Sequence, residues 1–344
     1  MSRILTGLRA NNGMHLGNYL GGILPMVKFA NNLTNQDELF MFVPDLHSFT
    51  TPIDHQKLYQ NSLDNIKTYI AAGINTSNPN ILLYRQSRVR GHTELAWILA
   101  CFCYMGEASR MTQFKEKSGG KSSSVSVGLF TYPILMAADI LLYQAPWVPV
   151  GEDQFQHLEL ARDLAIRMNN KFEKNTQKPL FEVPKTPQEQ LKFMNLDEGI
   201  RIRSLSNPTK KMSKSEDDLK GKIDLTDKPE IAVKKIMSAT TDSLECISFD
   251  WQNQPGITNL LQLAYLLSGK SKAEIISLYE GQNQYGPLKK YVADLVYTFL
   301  SNYQQKVALI SNKEVEDLLF INEEKANTEA QKTLKIVQKV AGLY

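Results

Sequence analysis

The sequence is poor in cysteine, with three residues among 344, and it has no uninterrupted apolar run of the roughly 18 residues that a membrane span needs. Three thiols do not make a disulfide framework, so we expect a reducing compartment. The first residues, MSRILTGLRANN, include no long apolar segment of the kind that a secretory signal has. We therefore expect a cytoplasmic protein with no membrane partner.

Neither sign of charge dominates the sequence, because 39 Lys and Arg residues face 36 Asp and Glu residues, a formal net charge of +3. This balance is too small to demonstrate a nucleic-acid partner and does not exclude one. With 42% hydrophobic and 22% charged residues, the composition excludes a disordered or fibrous chain. The length suggests about two domains, each able to bury its own core.

Strand-like and helical patterns alternate in the first half of the sequence. Short apolar runs typical of strands lie at 3–8, 39–44, 80–84 and 147–150, and helical patterns lie at 16–31, 55–72, 93–105, 132–143 and 152–169. This alternation predicts an α/β fold with a doubly wound parallel sheet of the Rossmann type, covered by helices on both faces. Such sheets bind ligands at the carboxyl ends of their strands.

Two polar stretches interrupt this pattern, at 115–126 and at 207–222. Both are rich in residues typical of mobile surface loops. After the second stretch the pattern is helical, at 229–238, 258–267, 272–279, 288–307 and 322–340. We predict a catalytic domain over 1–206, a mobile loop over 207–222 and a helical domain over 223–344, whose last helix is a candidate for packing back on the first domain.

A histidine and glycine motif, His15-Leu16-Gly17-Asn18, stands where the first helix is predicted to begin. The first turn of a helix offers unpaired N–H groups and partial positive charge, which suit a phosphate. Gly17 lets a ligand approach the backbone closely, and His15 can donate a hydrogen bond to a phosphate oxygen. Taken alone, the motif fits a strand-to-helix turn without a ligand equally well.

A second motif, Lys211-Met212-Ser213-Lys214-Ser215, lies in the second polar stretch. Two ammonium groups three residues apart can close over a triphosphate and stabilise the charge that develops on a departing pyrophosphate. An arbitrary pair of lysines in a loop is more often solvated surface. The five-residue string is considerably more specific than such a pair.

Together, these motifs resemble those of the class I aminoacyl-tRNA synthetases, and further segments narrow the resemblance to the tryptophanyl-tRNA synthetase family. These segments include RMTQFKEK at 110–117, YPILMAADILLY at 132–143, VPVGEDQ at 148–154 followed by His157, ATTDS at 239–243 and PGITNLL at 255–261. The resemblance implies activation of L-tryptophan with ATP to tryptophanyl-adenylate and pyrophosphate, followed by transfer of the tryptophanyl group to tRNA(Trp). It also implies that the helical domain over 223–344 binds tRNA at its anticodon, and that the protein is a homodimer. No DNA partner is expected.

The resemblance assigns four residues to tryptophan. Asp139 accepts the indole N–H, Met136 lines the ring pocket, and Tyr132 and Gln154 hold the α-ammonium group through their side-chain oxygens. A buried carboxylate that is left without its donor costs about 3–5 kcal/mol, so such a site rejects ligands that lack the donor. On the residues alone, Asp139 could also be a solvent-facing acid, Tyr132 a core residue and Gln154 a surface residue.

The resemblance also assigns residues to ATP and to catalysis. The ATP contacts are Arg9, Ala10, Asn11, Gly17, Asn18, Gly151, Glu152, Asp153, Ile202, Lys211, Met212, Ser213, Lys214 and Ser215. The catalytic residues are His15, Lys117, Lys211 and Lys214, whose role is positioning and electrostatic stabilisation. Mg²⁺ is expected to arrive with ATP, and no structural metal is expected. Acids in the first turn of a helix also occur without a nucleotide, so the residues alone leave Glu152 and Asp153 open.

One segment departs from the family pattern. Ala10 stands where relatives have proline, and Gly13 comes one position late. The departure affects the ATP contacts of the first loop and not those of Gly17 and Asn18. Backbone contacts tolerate such a change.

Other candidate residues carry little chemistry. Cys101, Cys103 and Cys246 do not have the spacing of a zinc site, and His47, His55 and His92 are interpreted as structural. The tRNA partner follows from the resemblance, since the lysines of the helical part also fit a solvated face. Three alternatives stay open: a tyrosine-activating relative, a small-metabolite adenylyltransferase, and a non-catalytic RNA-binding relative, which the intact His15 and lysine motif disfavour.

Overall fold

A three-stranded parallel sheet organises the chain. The computed structural model describes residues 2–8, 13–111, 126–176, 178–193, 200–213 and 219–344. In this part of the chain, β1 (Ser2–Gly7), β2 (Asp37–Val43) and β3 (Ile81–Arg85) pair in the order β1–β2–β3, with both pairs parallel. The register places Ile4 opposite Leu39, and Leu39 opposite Ile81.

The predicted strand at 147–150 is wrong in extent, because the structure keeps only one parallel bridge, between Trp147 and Ile4. Pro146 and Pro149 flank this bridge, and proline has no N–H to donate to a strand ladder. Because β2 occupies the other edge of β1, the order of the sheet reverses beside β1. The predicted doubly wound parallel fold is therefore confirmed, and its switch point lies beside β1, where such sheets bind ligands.

Helices cover both faces of this sheet. In the described residues they are α1 (Leu16–Asn18), α2 (Leu24–Asn31), α3 (Leu58–Ala71), α4 (Gly91–Ala100), α5 (Met105–Ala108), α6 (Val127–Leu142), α7 (Phe155–Phe172), α8 (Pro187–Phe193), α9 (Pro229–Met237), α10 (Pro255–Ser268), α11 (Lys272–Tyr279), α12 (Tyr285–Leu309) and α13 (Asn312–Val340). A π-helical segment, Tyr19–Ile23, joins α1 to α2. Within the described ranges, none of these helices combines the length and apolar character of a membrane span.

The predicted helices agree with the structure in type and differ at their ends. The prediction over 272–279 coincides with α11, whereas α13 begins ten residues before the predicted 322. Its start is set by a reciprocal cap, in which the side chains of Ser311 and Glu314 each accept the other's backbone N–H. α6 likewise begins earlier than predicted, because the Ser126 hydroxyl accepts from the Leu129 amide. Both helices therefore begin at polar capping residues, earlier than the apolar pattern alone predicts.

Two hydrophobic cores lie on the two faces of the sheet. Successive side chains of β2 alternate between them, with Leu39 in the first core and Phe40 in the second. The first core also includes Ile202 and Leu260, which lie on either side of the predicted domain boundary. The sheet and the helices that follow residue 206 therefore share buried apolar contacts.

The last helix, α13, packs back across β3 and is held there by ion pairs. Arg85 Nε donates to Glu323 Oε1 at 2.6 Å, and Arg85 Nη2 donates to Glu323 Oε2 at 3.0 Å, with both side chains mostly buried. Arg3 Nη2 donates to Glu329 Oε2 at 2.8 Å. Two acids on one helix therefore pair with arginines of the first and third strands.

Removing the charge of Glu323 should destabilise the protein by about 3 kcal/mol, because Glu323→Gln leaves the Arg85 guanidinium with no carboxylate in a mostly buried position. The control on the same helix is Asp317→Asn, which breaks the exposed pair with Lys313 and should cost less than about 1 kcal/mol. Urea unfolding of both variants measures the difference. Equal losses for the two variants would contradict this reading of the buried pair.

Candidate active site

His15 caps the helix that follows β1. Its Nδ1 accepts the Asn18 amide at 3.2 Å, and Asn18 Oδ1 accepts the His15 amide at 3.4 Å. Because Nδ1 is an acceptor, a neutral imidazole carries its proton on Nε2, from which it can donate. The backbone also pairs with a later segment, since the Leu16 amide donates to the Ile223 carbonyl at 2.8 Å. The first motif is therefore held rigidly at the carboxyl end of β1.

The structure brings the glycine of the first motif against the segment that leads to the second. A Cβ at Gly17 would lie 3.1 Å from His15 Nδ1 and 3.4 Å from Ile202 Cβ. The Met212 amide donates to the Ile202 carbonyl at 3.0 Å, and Arg203 and Lys211 form an antiparallel bridge. A side chain at position 17 would therefore press on His15 and Ile202, whether or not a nucleotide also approaches it.

Gly151, Glu152 and Asp153 lie on the surface just before α7, where a short 3₁₀ turn, Glu152–Gln154, replaces the first turn of the predicted helix. A Cβ at Gly151 would lie 2.7 Å from Asp153 Oδ1, so the carboxylate folds back over the glycine. Gln154 Nε2 donates to Asp153 Oδ2 at 2.7 Å. The side-chain NH₂ group of Gln154 is therefore engaged with Asp153, and its Oε1 is the atom that can accept a further hydrogen bond.

Asp139 is buried, with 1% of its surface exposed, and accepts three side-chain hydrogen bonds. Oδ1 accepts from Gln86 Nε2 at 2.7 Å and from His92 Nδ1 at 2.6 Å, and Oδ2 accepts from His47 Nε2 at 2.8 Å. Burial by itself raises the pKa of Asp139, but the charges and hydrogen bonds of His92 and His47 bring it from 3.8 down to about 2. This carboxylate is ionised at neutral pH and is an acceptor only.

Tyr132, Met136 and Asp139 lie along one face of α6, at helical spacings of four and three. The Tyr132 hydroxyl lies 2.8 Å from His157 Nε2, and the His47 ring meets the Tyr132 ring edge-on at 6.1 Å between centroids. Burial raises the pKa of Tyr132 to about 12, and the charge of Asp153 adds to this shift. Three of the four residues predicted to hold tryptophan thus share one helix.

The partners of Asp139 were missed or interpreted only as structural from the sequence. Gln86 directly follows β3, and His47 lies four residues after β2. His92 begins no motif of its own and lies in the first turn of α4. Their common signal is position, because each follows the carboxyl end of a parallel strand, where ligands of such sheets bind.

The residues around His15 and the residues around Asp139 both lie at the carboxyl ends of the strands. His15 follows β1, while His47 and Gln86, two partners of Asp139, follow β2 and β3. The carboxyl ends of the strands are where parallel sheets bind ligands. This end of the sheet carries the histidine and glycine motif, Ile202, the start of the lysine motif and Asp139. The remaining predicted site residues, Arg9, Ala10, Asn11, Lys117, Lys214 and Ser215, lie outside the described residues.

Comparison with known proteins gives a consistent result. A family model described as class I tRNA synthetases (W and Y) matches residues 1–301. The tryptophan–tRNA ligase of Caldanaerobacter subterraneus subsp. tengcongensis is 45% identical over 343 residues, covering 100% of this chain and 99% of that protein. The structure of tryptophanyl-tRNA synthetase from Mycoplasma pneumoniae has a TM-score of 0.81 at 37% identity, covering 100% and 98% of the two chains. That of the Campylobacter jejuni enzyme with ADP and tryptophan has a TM-score of 0.78 at 32% identity, covering 99% of each.

Acid should remove the stability that the Asp139 carboxylate contributes. Because the folded-state pKa lies below the ordinary value of 3.8, this contribution is present above that value and is lost as the pH falls through about 2. The difference in unfolding free energy between wild type and Asp139→Asn should shrink by about 2 kcal/mol from about pH 5 to about pH 2. Urea unfolding across that range measures it, and a difference that does not change with pH would contradict the ionised, paired state.

Proposed function

Because this chain belongs to the class I tRNA synthetase family that includes the tryptophan and tyrosine enzymes, we propose that it activates L-tryptophan with ATP and then charges tRNA(Trp). Activation joins the tryptophan carboxylate to the α-phosphate of ATP and releases pyrophosphate. Transfer then moves the tryptophanyl group from the adenylate to the tRNA and releases AMP. The observation that carries this proposal is the buried Asp139 carboxylate, held by three donors at the ligand-binding edge of the sheet.

Asp139 favours a substrate whose ring carries a hydrogen-bond donor. Oδ1 already accepts two hydrogen bonds, whereas Oδ2 accepts one, from His47. An indole N–H is a donor only and matches an acceptor-only carboxylate, whereas a phenol has an oxygen that also needs a donor. The Tyr132 hydroxyl and the Gln154 amide oxygen then receive the α-ammonium group, and Met136 packs on the ring.

The nucleotide binds across the switch point beside β1. His15, Gly17 and Asn18 lie against the phosphates, where the His15 imidazole can donate from Nε2, and Gly151, Glu152 and Asp153 bind the ribose. Ile202 contacts adenine, and Lys211 with Lys117 and Lys214 neutralises the departing pyrophosphate. Mg²⁺ enters as part of the ATP substrate. The protein contributes positioning and charge, because phosphoryl-type transfer needs little covalent help.

The helical part after residue 222 contacts tRNA in this proposal. Several lysines along it can pair with phosphates, which predicts salt-sensitive binding. Two of the candidates are already engaged inside the protein. Lys235 Nζ donates to Asp227 Oδ2 at 2.6 Å, and Lys289 Nζ donates to the Ala239 carbonyl at 2.8 Å. Exposed lysines such as Lys234, Lys270 and Lys290 are the better candidates.

We also propose that the enzyme is a cytoplasmic homodimer. Trp97, Met105 and Val127 are 73%, 74% and 76% exposed, and they lie on α4, α5 and α6. Both α4 and α5 pack on α6, so these apolar side chains belong to neighbouring elements. Large apolar side chains exposed together are typical of a protein–protein interface, and a second copy of the chain is the partner that the family implies.

Exchange of labelled pyrophosphate into ATP, tested with each of the twenty amino acids, should occur with tryptophan and fall to background with tyrosine. The Asp139 acceptor and the ring pocket of α6 make this selection, and the release of pyrophosphate makes it measurable. Exchange that depends on tyrosine, or on no amino acid, would contradict the proposal.

A variant of the lysine motif separates chemistry from binding in the same assay. Lys211→Ala should lower kcat by roughly a hundredfold and leave KM for tryptophan unchanged, because its charge acts on the pyrophosphate. The matched control is Lys210→Ala, which removes the neighbouring exposed lysine at the end of the 207–210 turn, a residue with no assigned ATP contact. Equal losses for both variants would point to a general structural effect.

The dimer should dissociate when a charge is placed in the exposed apolar surface. Trp97→Glu should give a folded monomer, because an unpaired charge cannot be buried against a partner without a large cost. Phe320→Glu, at a 66% exposed position on α13, is the control and should remain a dimer. Size-exclusion chromatography with light scattering distinguishes the two states. A wild-type monomer would contradict the proposed assembly.

A further inference from the structure

The two oxygens of Asp139 are held differently. Oδ1 is bound by Gln86 and His92, neither of which has any exposed surface. Oδ2 is bound by His47, whose side chain is 18% exposed. The buried side of the carboxylate is therefore saturated with donors from the protein, while the other oxygen lies beside a partly accessible residue.

The protonation of the buried partners follows from the carboxylate. An ionised Asp139 accepts only, so Gln86 must present its NH₂ group and His92 must carry a proton on Nδ1. The neutral form of His92 then offers an acceptor at Nε2, 3.4 Å from the Tyr143 hydroxyl, whereas the charged form donates to that hydroxyl oxygen. Burial raises the pKa of Tyr143, so this hydroxyl keeps its proton and can take either role. In both forms Tyr143, His92 and Asp139 are linked in a chain of hydrogen bonds that ends on Oδ1.

This chain restricts the rotation of the carboxylate. The terminal torsion of an aspartate is broad and twofold, so a carboxylate without fixed donors presents either oxygen at a range of angles. Two short hydrogen bonds to Oδ1 select one orientation, and they leave Oδ2 with a single protein donor. A fixed acceptor discriminates donors better than a mobile one, because a mobile one can turn away from a poor ligand.

We propose that Gln86 and His92 are positioning residues for tryptophan selection, which hold Asp139 so that Oδ2 alone accepts the indole N–H. Neither residue touches the substrate, and Tyr143 supports His92 from behind. This inference rests on the proposed function, since it assumes that Asp139 reads the ring of the substrate. If Gln86 and His92 had a purely structural role, their loss would affect all substrates alike. In a positioning role, the effect of their loss must depend on whether the substrate carries the ring N–H.

The test compares tryptophan with β-(benzothiophen-3-yl)alanine, in which sulfur replaces the indole N–H. Gln86→Met keeps a similar volume and removes the donor. His92→Leu removes the imidazole, and His92→Asn is its matched control, because the asparagine amide can place a donor near the position of Nδ1. Steady-state pyrophosphate exchange gives kcat and KM for both amino acids, and thermal unfolding reports whether each variant is folded.

Gln86→Met and His92→Leu should lower kcat/KM for tryptophan by about tenfold or more, mainly through KM. For the sulfur analogue they should lower it by less than about threefold, so the preference of the enzyme for tryptophan falls. His92→Asn should recover most of that preference. If the first two variants do not fold, Tyr143→Phe removes one hydroxyl and should lower the preference by about threefold.

The outcomes separate this inference from the proposed function. A wild type that uses tryptophan and prefers it over the sulfur analogue, with variants that lose both substrates equally, would overturn the positioning role alone. The same holds if the variants keep the wild-type preference. A wild type that uses both amino acids equally well would overturn the positioning role and also the assignment of Asp139 to the indole N–H, while tryptophan activation itself would stand. A wild type that does not exchange pyrophosphate with tryptophan would overturn both.

Discussion

A single ionised carboxylate in the interior constrains much of this structure. Asp139 lies on an otherwise apolar helix, and a buried charge without donors costs several kcal/mol. Its three donors come from the ends of two strands and the helix that follows, so β2, β3, α4 and α6 must hold a fixed relation to one another. The parallel sheet supplies that relation, because the carboxyl ends of its strands meet at one edge.

The part of the structure to which we assign the nucleotide depends on backbone pairing more than on buried charge. His15 and Asn18 cap each other, the Leu16 amide binds the Ile223 carbonyl, and Ile202 packs on Gly17. The segments on both sides of the lysine motif are thereby anchored to the first helix. A cationic segment anchored in this way can act on the phosphates of a nucleotide bound beside β1.

The helical part of the chain is integrated with the sheet as well. The first core joins β2 to helices α9 to α12, and α13 returns to the sheet through Glu323 and Glu329. The helices after residue 206 are therefore in direct contact with the strands that carry the candidate site. Apolar packing is continuous across the predicted boundary at 206.

The sequence by itself determined the class of fold, the family and the motifs, because hydrophobic periods and short strings such as His15 to Asn18 are local properties. It also predicted a helix over 132–143, the segment that holds Tyr132, Met136 and Asp139. Only the tertiary structure decided that Gln86, His47 and His92 meet Asp139, that Trp147 contributes a single bridge, and that Glu323 pairs with Arg85. These contacts join residues far apart in the chain, and no local pattern specifies which side chains a packed sheet edge brings together.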